Sequence, residues 1–128
     1  MMRFEHDDLV LWYGTPDAPA PSGSMPLESE IAVTVAVQPP SASNRVELLY
    51  RTNHAPIETI AAKWLYTSGA TQYFRAPLKV RAGDAIEYTV VCHCAGRQVP
   101  SIEDAKRLVS SFQIATAGWE ISASGAAI

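Results

Sequence analysis

A chain of 128 residues, 48% hydrophobic and 18% charged, has the composition of one folded globular domain that can bury a core without disulfides or metal. Its net charge of −3, with 10 Lys and Arg placed singly or in pairs, excludes the basic stripe of a nucleic-acid-binding surface. No apolar run approaches the ~20 residues needed to span a bilayer, and the acidic start Met1-Met2-Arg3-Phe4-Glu5-His6-Asp7-Asp8 lacks the pattern of a signal peptide.

Leu9-Val10-Leu11-Trp12-Tyr13 predicts a first strand, ended by Gly14. Residues 15–30 form a proline-rich connection. Pro16, Pro19 and Pro21 remove backbone donors and fix φ, so the stretch is neither a helix nor a central strand. The second strand, 31–37, places Ile31, Val33, Val35 and Val37 on one face and Ala32, Thr34 and Ala36 on the other. Pro39-Pro40 stops it. Residues 45–51 put Val46, Leu48 and Tyr50 on one side, and after a turn at 52–56 the chain returns over 57–61 as an edge strand. Lys63-Trp64-Leu65-Tyr66 fits a strand end as well as a short turn. Residues 72–78 predict the next strand, with Phe74 facing opposite to Tyr73 and Arg75.

The Gly83-Asp84 turn then leads into a long strand reaching Cys94, whose alternate residues Ile86, Tyr88 and Val90 are apolar or aromatic. Ser101-Ile102-Glu103-Asp104 has capping-box spacing and predicts one or two helical turns. Residues 110–116 are the last strand, and the small, weakly apolar tail 122–128 is expected to be disordered. Short strands divided by Pro, Gly and Asn turns, with at most one short helix before the last strand, specify an all-β antiparallel sandwich of about seven strands, one domain over 1–128.

Val33-Thr34-Val35 before Pro39, Val46-Glu47-Leu48-Leu49-Tyr50-Arg51, Tyr73-Phe74-Arg75-Ala76-Pro77-Leu78 and Ala82-Gly83-Asp84-Ala85-Ile86-Glu87-Tyr88-Thr89-Val90-Val91 resemble bacterial immunoglobulin-like and fibronectin type III-like domains. The resemblance covers residues 31–94. It implies that Tyr50 fills the core position of the strand-C tryptophan of antibody domains. Tyr88 would be the corner tyrosine, bonded to backbone near the E–F turn. Val90 would stand where antibody domains carry their second core cysteine. The matched motifs are structural and transfer no catalytic residue.

Cys92 and Cys94 are the candidate metal ligands. Two thiolates on one strand face could offer soft ligands to zinc or copper, with His6 or His54 completing a site. Neighbouring His93 points to the opposite face of a regular strand. The alternative is that Cys92 continues the inward row as a small hydrophobe. On an extended strand the two Cα atoms lie roughly 6.5–7 Å apart with parallel side chains, poor geometry for a mutual disulfide. Unpaired thiols and the absence of an export pattern point to a reducing, cytoplasmic compartment. Neither a Gly-x-Ser-x-Gly elbow nor a phosphate loop occurs, so no catalytic residue is assigned and an enzyme is not expected.

Trp12, Tyr13, Trp64, Tyr66, Tyr73, Phe74 and Trp119 exceed the rings such a core needs. Trp12 and Tyr13 are adjacent on one strand, so one of them faces away from the core. An outward ring rimmed by polar groups marks a groove or a contact surface, unless a facing sheet, the proline segment or the tail covers it. Trp12, Tyr13, Trp64, Tyr66 and Tyr73 are therefore the candidate binding residues. The expected function is a non-catalytic binding or assembly module that recognises a peptide or protein partner through sheet edges and aromatics. A homodimer is its expected assembly, because open edges need covering. The alternatives are a small metal-binding or thiol-dependent protein centred on Cys92 and Cys94, and a carbohydrate-binding accessory domain. No cofactor is expected beyond zinc or copper at the cysteines.

Overall fold

Period-two alternation of apolar and polar residues resolves, in a computed structural model that describes residues 1–28 and 30–116, into strands almost throughout. In chain order these are β1 (Met2–His6), β2 (Leu9–Tyr13), β3 (Gly23–Met25), β4 (Ile31–Gln38), β5 (Arg45–Thr52), β6 (Glu58–Ala61), β7 (Lys63–Ser68), β8 (Thr71–Leu78), β9 (Ala85–Cys94) and β10 (Arg97–Val99), followed by the one-turn helix α1 (Ile102–Ala105) and β11 (Ser110–Ile114). The seven expected strands are all present. β1, β3, β7 and β10 extend the expected number. The predicted tail 122–128 and Trp119 lie outside the described residues.

Two sheets face each other. One has the order β1-β2-β4-β8-β7 and the other β3-β11-β9-β5-β6, with β10 paired to β9. Neighbours are antiparallel except β3, which runs parallel to β11. The inward rows Leu9-Leu11-Tyr13 and Ile31-Val33-Val35-Val37 of the first sheet meet Val46-Leu48 and Ile86-Tyr88-Val90-Cys92 of the second in a single core cluster. Each large aliphatic side chain buried there contributes on the order of 1.5–3 kcal/mol. Among the described residues no helix is long and apolar enough to cross a membrane.

Three local features depart from the sequence reading. The acidic start makes a strand, because Met2 and Phe4 alternate with Arg3 and Glu5 and pack against the core while Asp7 takes φ 55° in the turn back to β2. The ambiguous stretch after Lys63 is β7, joined to β8 by a two-residue turn in which Gly69 has φ 58°. On β5, Leu48 rather than Tyr50 is the fully buried residue, and Tyr50 sits half-buried at the rim. The helix starts as expected, with the Ser101 hydroxyl accepting from the Asp104 amide at 3.2 Å. Its segment lies against β9. The Val109 amide donates to the Thr89 hydroxyl at 3.0 Å, so Thr89 and Val91 are buried although they point away from the main core.

Tyr88 is buried as expected, but its partner is different. Its hydroxyl donates to the Pro21 carbonyl at 3.0 Å, in the proline-rich segment rather than at the turn before β9. The correction follows from the fold: β3 lies beside β11, so the chain leading into it passes over the end of Tyr88. The Tyr88 ring also meets Tyr13 at 5.8 Å and Phe112 at 5.9 Å. Burial holds its hydroxyl far above the usual tyrosine range.

Replacing Tyr88 with Phe keeps the ring and strands the Pro21 carbonyl, and should cost about 1–3 kcal/mol in chemical denaturation. Tyr88→Ala, which also empties the junction of the three rings, should cost about 3–5 kcal/mol.

Candidate functional site

The outer face of the five-stranded sheet carries a line of large side chains, because cross-strand pairing puts partners side by side. Register runs Arg3 to Trp12, Trp12 to Ala36, Ala36 to Tyr73 and Tyr73 to Tyr66, one residue from each of the five strands. The middle of this line is not open. Gly14 and Thr15 amides donate to the Ala18 carbonyl at 2.7 and 3.2 Å, folding the 15–18 turn back over β4 so that Ala18 and Ala36 are both fully buried against Tyr73.

Asp17 closes that turn onto the sheet. One carboxylate oxygen accepts from the Thr15 hydroxyl at 2.6 Å; the other accepts from the Tyr73 hydroxyl at 2.9 Å and the Trp12 indole N–H at 3.4 Å. Asp17 itself stays exposed. The Thr15 bond is the largest cause, and together with Tyr73, the Asp17 backbone amide and Trp12 it outweighs desolvation and holds the carboxyl below the usual range. Donating to Asp17 in turn raises Tyr73.

Beyond Tyr73 the rings reach solvent. Tyr66 stacks on Tyr73 with centroids 4.6 Å apart and planes at 22°, while 44% of Tyr66 remains exposed. Its strand β7 is a sheet edge exposed along its whole length. A register shift between Trp64 and Tyr66 lets Trp64 oppose Phe74 and Tyr66 oppose Tyr73, neighbours on β8 that face opposite ways. Trp64 is therefore not part of the outer-face line. It lies 60% exposed along the edge, its indole N–H donating to the Thr67 hydroxyl at 3.0 Å.

Of the five candidate binding residues, the fold brings Trp12, Tyr66 and Tyr73 together and leaves Trp64 at the adjoining edge. Tyr13 is withdrawn from the surface and is corrected to a core residue. It is 1% exposed, its hydroxyl shares a 2.7 Å hydrogen bond with Ser110, and burial pushes it up to about 12. Asp17 was missed because a carboxylate in a proline turn reads as loop chemistry. Its Thr15-Pro16-Asp17 setting, a hydroxyl two residues before a carboxylate, was the one local signal.

Cys92 and Cys94 face inward as free, buried thiols. Burial, reinforced by the neighbouring thiol, pushes Cys92 up to about 12, so the thiol is protonated at neutral pH. His93 faces the other way and bonds Glu47 at 2.9 Å. Among the described residues no group of three or more His, Cys, Asp or Glu is placed to hold a metal ion, and His6 and His54 do not complete a site with the cysteines. The six-stranded sheet carries an open groove of about 550 Å³, lined by exposed His54 together with Glu87, Gln113 and the buried Phe112.

No protein-family model and no curated protein sequence matches the chain. Solved structures do. An uncharacterized Listeria monocytogenes protein, in complex with α-D-glucose, β-D-glucose, magnesium and calcium, superposes with a TM-score of 0.64 at 19% identity, over 84% of this chain and 10% of its own. The cycloalternan-forming enzyme of Listeria monocytogenes, in complex with a pentasaccharide substrate, gives a TM-score of 0.60 at 18% identity, again over 84% of this chain and 10% of its own. At this identity the likeness establishes an all-β sandwich domain, and the chain spans about a tenth of the length of these neighbours.

The first of these neighbours is recorded with glucose and metal ions and the second with a pentasaccharide, neither with a peptide or protein, which overturns the expected peptide or protein partner. At the edge that carries Trp64 and Tyr66 the structure supplies a physical reason: strand addition needs a regular edge, and β7 is bulged at Leu65.

The Asp17 carboxylate has a folded pKa below its unfolded value of about 3.9. Its contribution to stability is therefore fully present above about pH 4 and is lost as pH falls through the folded value. The difference in melting temperature between wild type and Asp17→Asn should narrow steadily in thermal melts taken below about pH 4.

Proposed function

We propose that this sandwich is a non-catalytic, carbohydrate-binding accessory domain of immunoglobulin-like topology whose ligand is a glucose-containing oligosaccharide. The observation that carries the reading is the outer-face patch: an exposed tyrosine, Tyr66, stacked on a fixed one, Tyr73, beside an ionised and exposed carboxylate, Asp17. A sugar ring offers two kinds of surface, apolar C–H faces and a rim of hydroxyl donors. Aromatic rings suit the first and a carboxylate suits the second. Rings already held by neighbours lose little freedom on binding, so little affinity is spent in ordering them.

Two further observations support the proposal. The neighbours that share the fold carry glucose and a pentasaccharide, and in both the matching region is a small part of a much longer chain. The order β2-β4-β8-β7 against β11-β9-β5 follows the A-B-E-D and G-F-C arrangement of immunoglobulin-like sandwiches. A cytoplasmic setting belongs to the same proposal, supported by two thiols that are free and buried.

Calorimetry with maltotetraose and isomaltotetraose tests the function, with a cationic peptide as control ligand. Binding to at least one sugar is expected. Tyr66→Ala should weaken it about tenfold, equivalent to about 1.4 kcal/mol, because the truncated ring is the exposed contact. The melting temperature should barely move, since Tyr66 lies at an edge. Sugar binding unaffected by Tyr66→Ala and Trp64→Ala would place the ligand elsewhere.

A further inference from the structure

We propose that Asp17 is the specificity-determining residue of this patch, and that the ligand it selects is a neutral sugar presenting free hydroxyl groups rather than an alkylated or hydroxyl-poor one. The assignment rests on the carbohydrate reading of the same site and adds to it a residue and a rule of selection.

The inference starts from a count of lone pairs. An ionised carboxylate offers about four acceptor positions. Thr15, Tyr73 and Trp12 occupy three, at 2.6, 2.9 and 3.4 Å, the last of them long, and the residue's own backbone amide adds a weaker interaction. Residual acceptor capacity therefore remains on an exposed group that three donors have already oriented. Those donors come from the turn itself, from β2 and from β8. The carboxylate is thus tied to the same Tyr73 ring on which Tyr66 stacks.

Every protein group that contacts this carboxylate donates, so the free acceptor position faces the ligand as an acceptor only. Of the other charged groups of this face, Arg75 pairs with Glu30 at 2.8 Å and Arg3 with Glu5 at 3.0 Å. Lys63 opposes Arg75 in the register, next to the line that holds Tyr73 and Tyr66. A sugar hydroxyl can donate to the carboxylate, and a methoxyl cannot. A methoxyl would also desolvate the carboxylate without replacing its water hydrogen bonds.

The test compares maltotetraose with its permethylated counterpart, on wild type, Asp17→Asn and Thr15→Ala. Wild type should prefer the free sugar by on the order of tenfold or more, as a hydrogen bond to a charged group allows. Asp17→Asn should bring that ratio close to one. Thr15→Ala removes the 2.6 Å bond and loosens the same turn but keeps the carboxylate, so it should narrow the preference without abolishing it. Thr15→Ala also serves if Asp17→Asn fails to fold, because a preference left unchanged by loosening the carboxylate would itself overturn the proposal. A ratio unchanged in Asp17→Asn would make Asp17 a structural clamp and overturn the specificity role while leaving the carbohydrate site standing. Equal wild-type affinity for the two sugars would overturn it in the same way. Failure of wild type to bind any sugar would instead remove the carbohydrate reading itself.

Discussion

The Tyr88 hydroxyl bonded to the Pro21 carbonyl is the contact that fixes where the proline-rich segment crosses between the two sheets. A proline-rich segment has carbonyls to satisfy and few amides with which to pair them, so it cannot join a sheet by the usual ladder. Tyr88 rises from the middle of the second sheet and supplies the missing donor from inside the protein. Two further bonds complete the attachment: the Thr34 amide donates to the Pro19 carbonyl at 2.9 Å and the Ala115 amide to the Met25 carbonyl at 2.9 Å. The segment is thereby carried from the first sheet to the second, where β3 lies parallel to β11. Tyr13 and Phe112 pack on the same ring, so the crossing point is also where the two sheets share aromatic surface.

The surface patch is a consequence of that routing. Once the segment is held at Pro19 and Pro21, its first turn must lie on the outer face of β2 and β4. It can rest there because Ala36 is small and Ala18 packs onto it with no exposed remainder. Asp17 then reaches Trp12 and Tyr73 together. A bulkier residue at position 36 would lift the turn and separate the carboxylate from the rings. Structural and binding roles are thus coupled at this face, and the Tyr66 ring is the part of the patch that the fold does not use for its own stability.

The remaining polar contacts do less. Arg51 pairs with Glu87 at 2.8 Å, which with His54 nearby keeps the Glu87 carboxyl below its usual range, yet both partners are about a third exposed. Exposed pairs of this kind add little to stability, because water and salt screen them. Their arrangement serves to orient the outer surface of the second sheet. Cys92 is equally quiet, since burial pushes its thiol far above neutral pH, where it is a poor nucleophile.

The sequence by itself determined seven of the strands and their inward faces, while β1, β3, β7 and β10 escaped it. Period-two alternation is a local property, and Ile31, Val33, Val35 and Val37, or Ile86, Tyr88 and Val90, can each be assigned without knowing what lies opposite. The Ser101 cap was legible for the same reason, as a four-residue signal. Only the tertiary structure decided which of the adjacent rings Trp12 and Tyr13 faces out, because that depends on the register of β2 against β1 and β4. It also decided that Tyr88 bonds Pro21, 67 residues away, and that Asp17 meets Tyr73 across 56 residues. Local pattern carries no information about such separations. Both contacts arise when a donor-poor segment is routed across two sheets, and that route is chosen by the packing of the whole core.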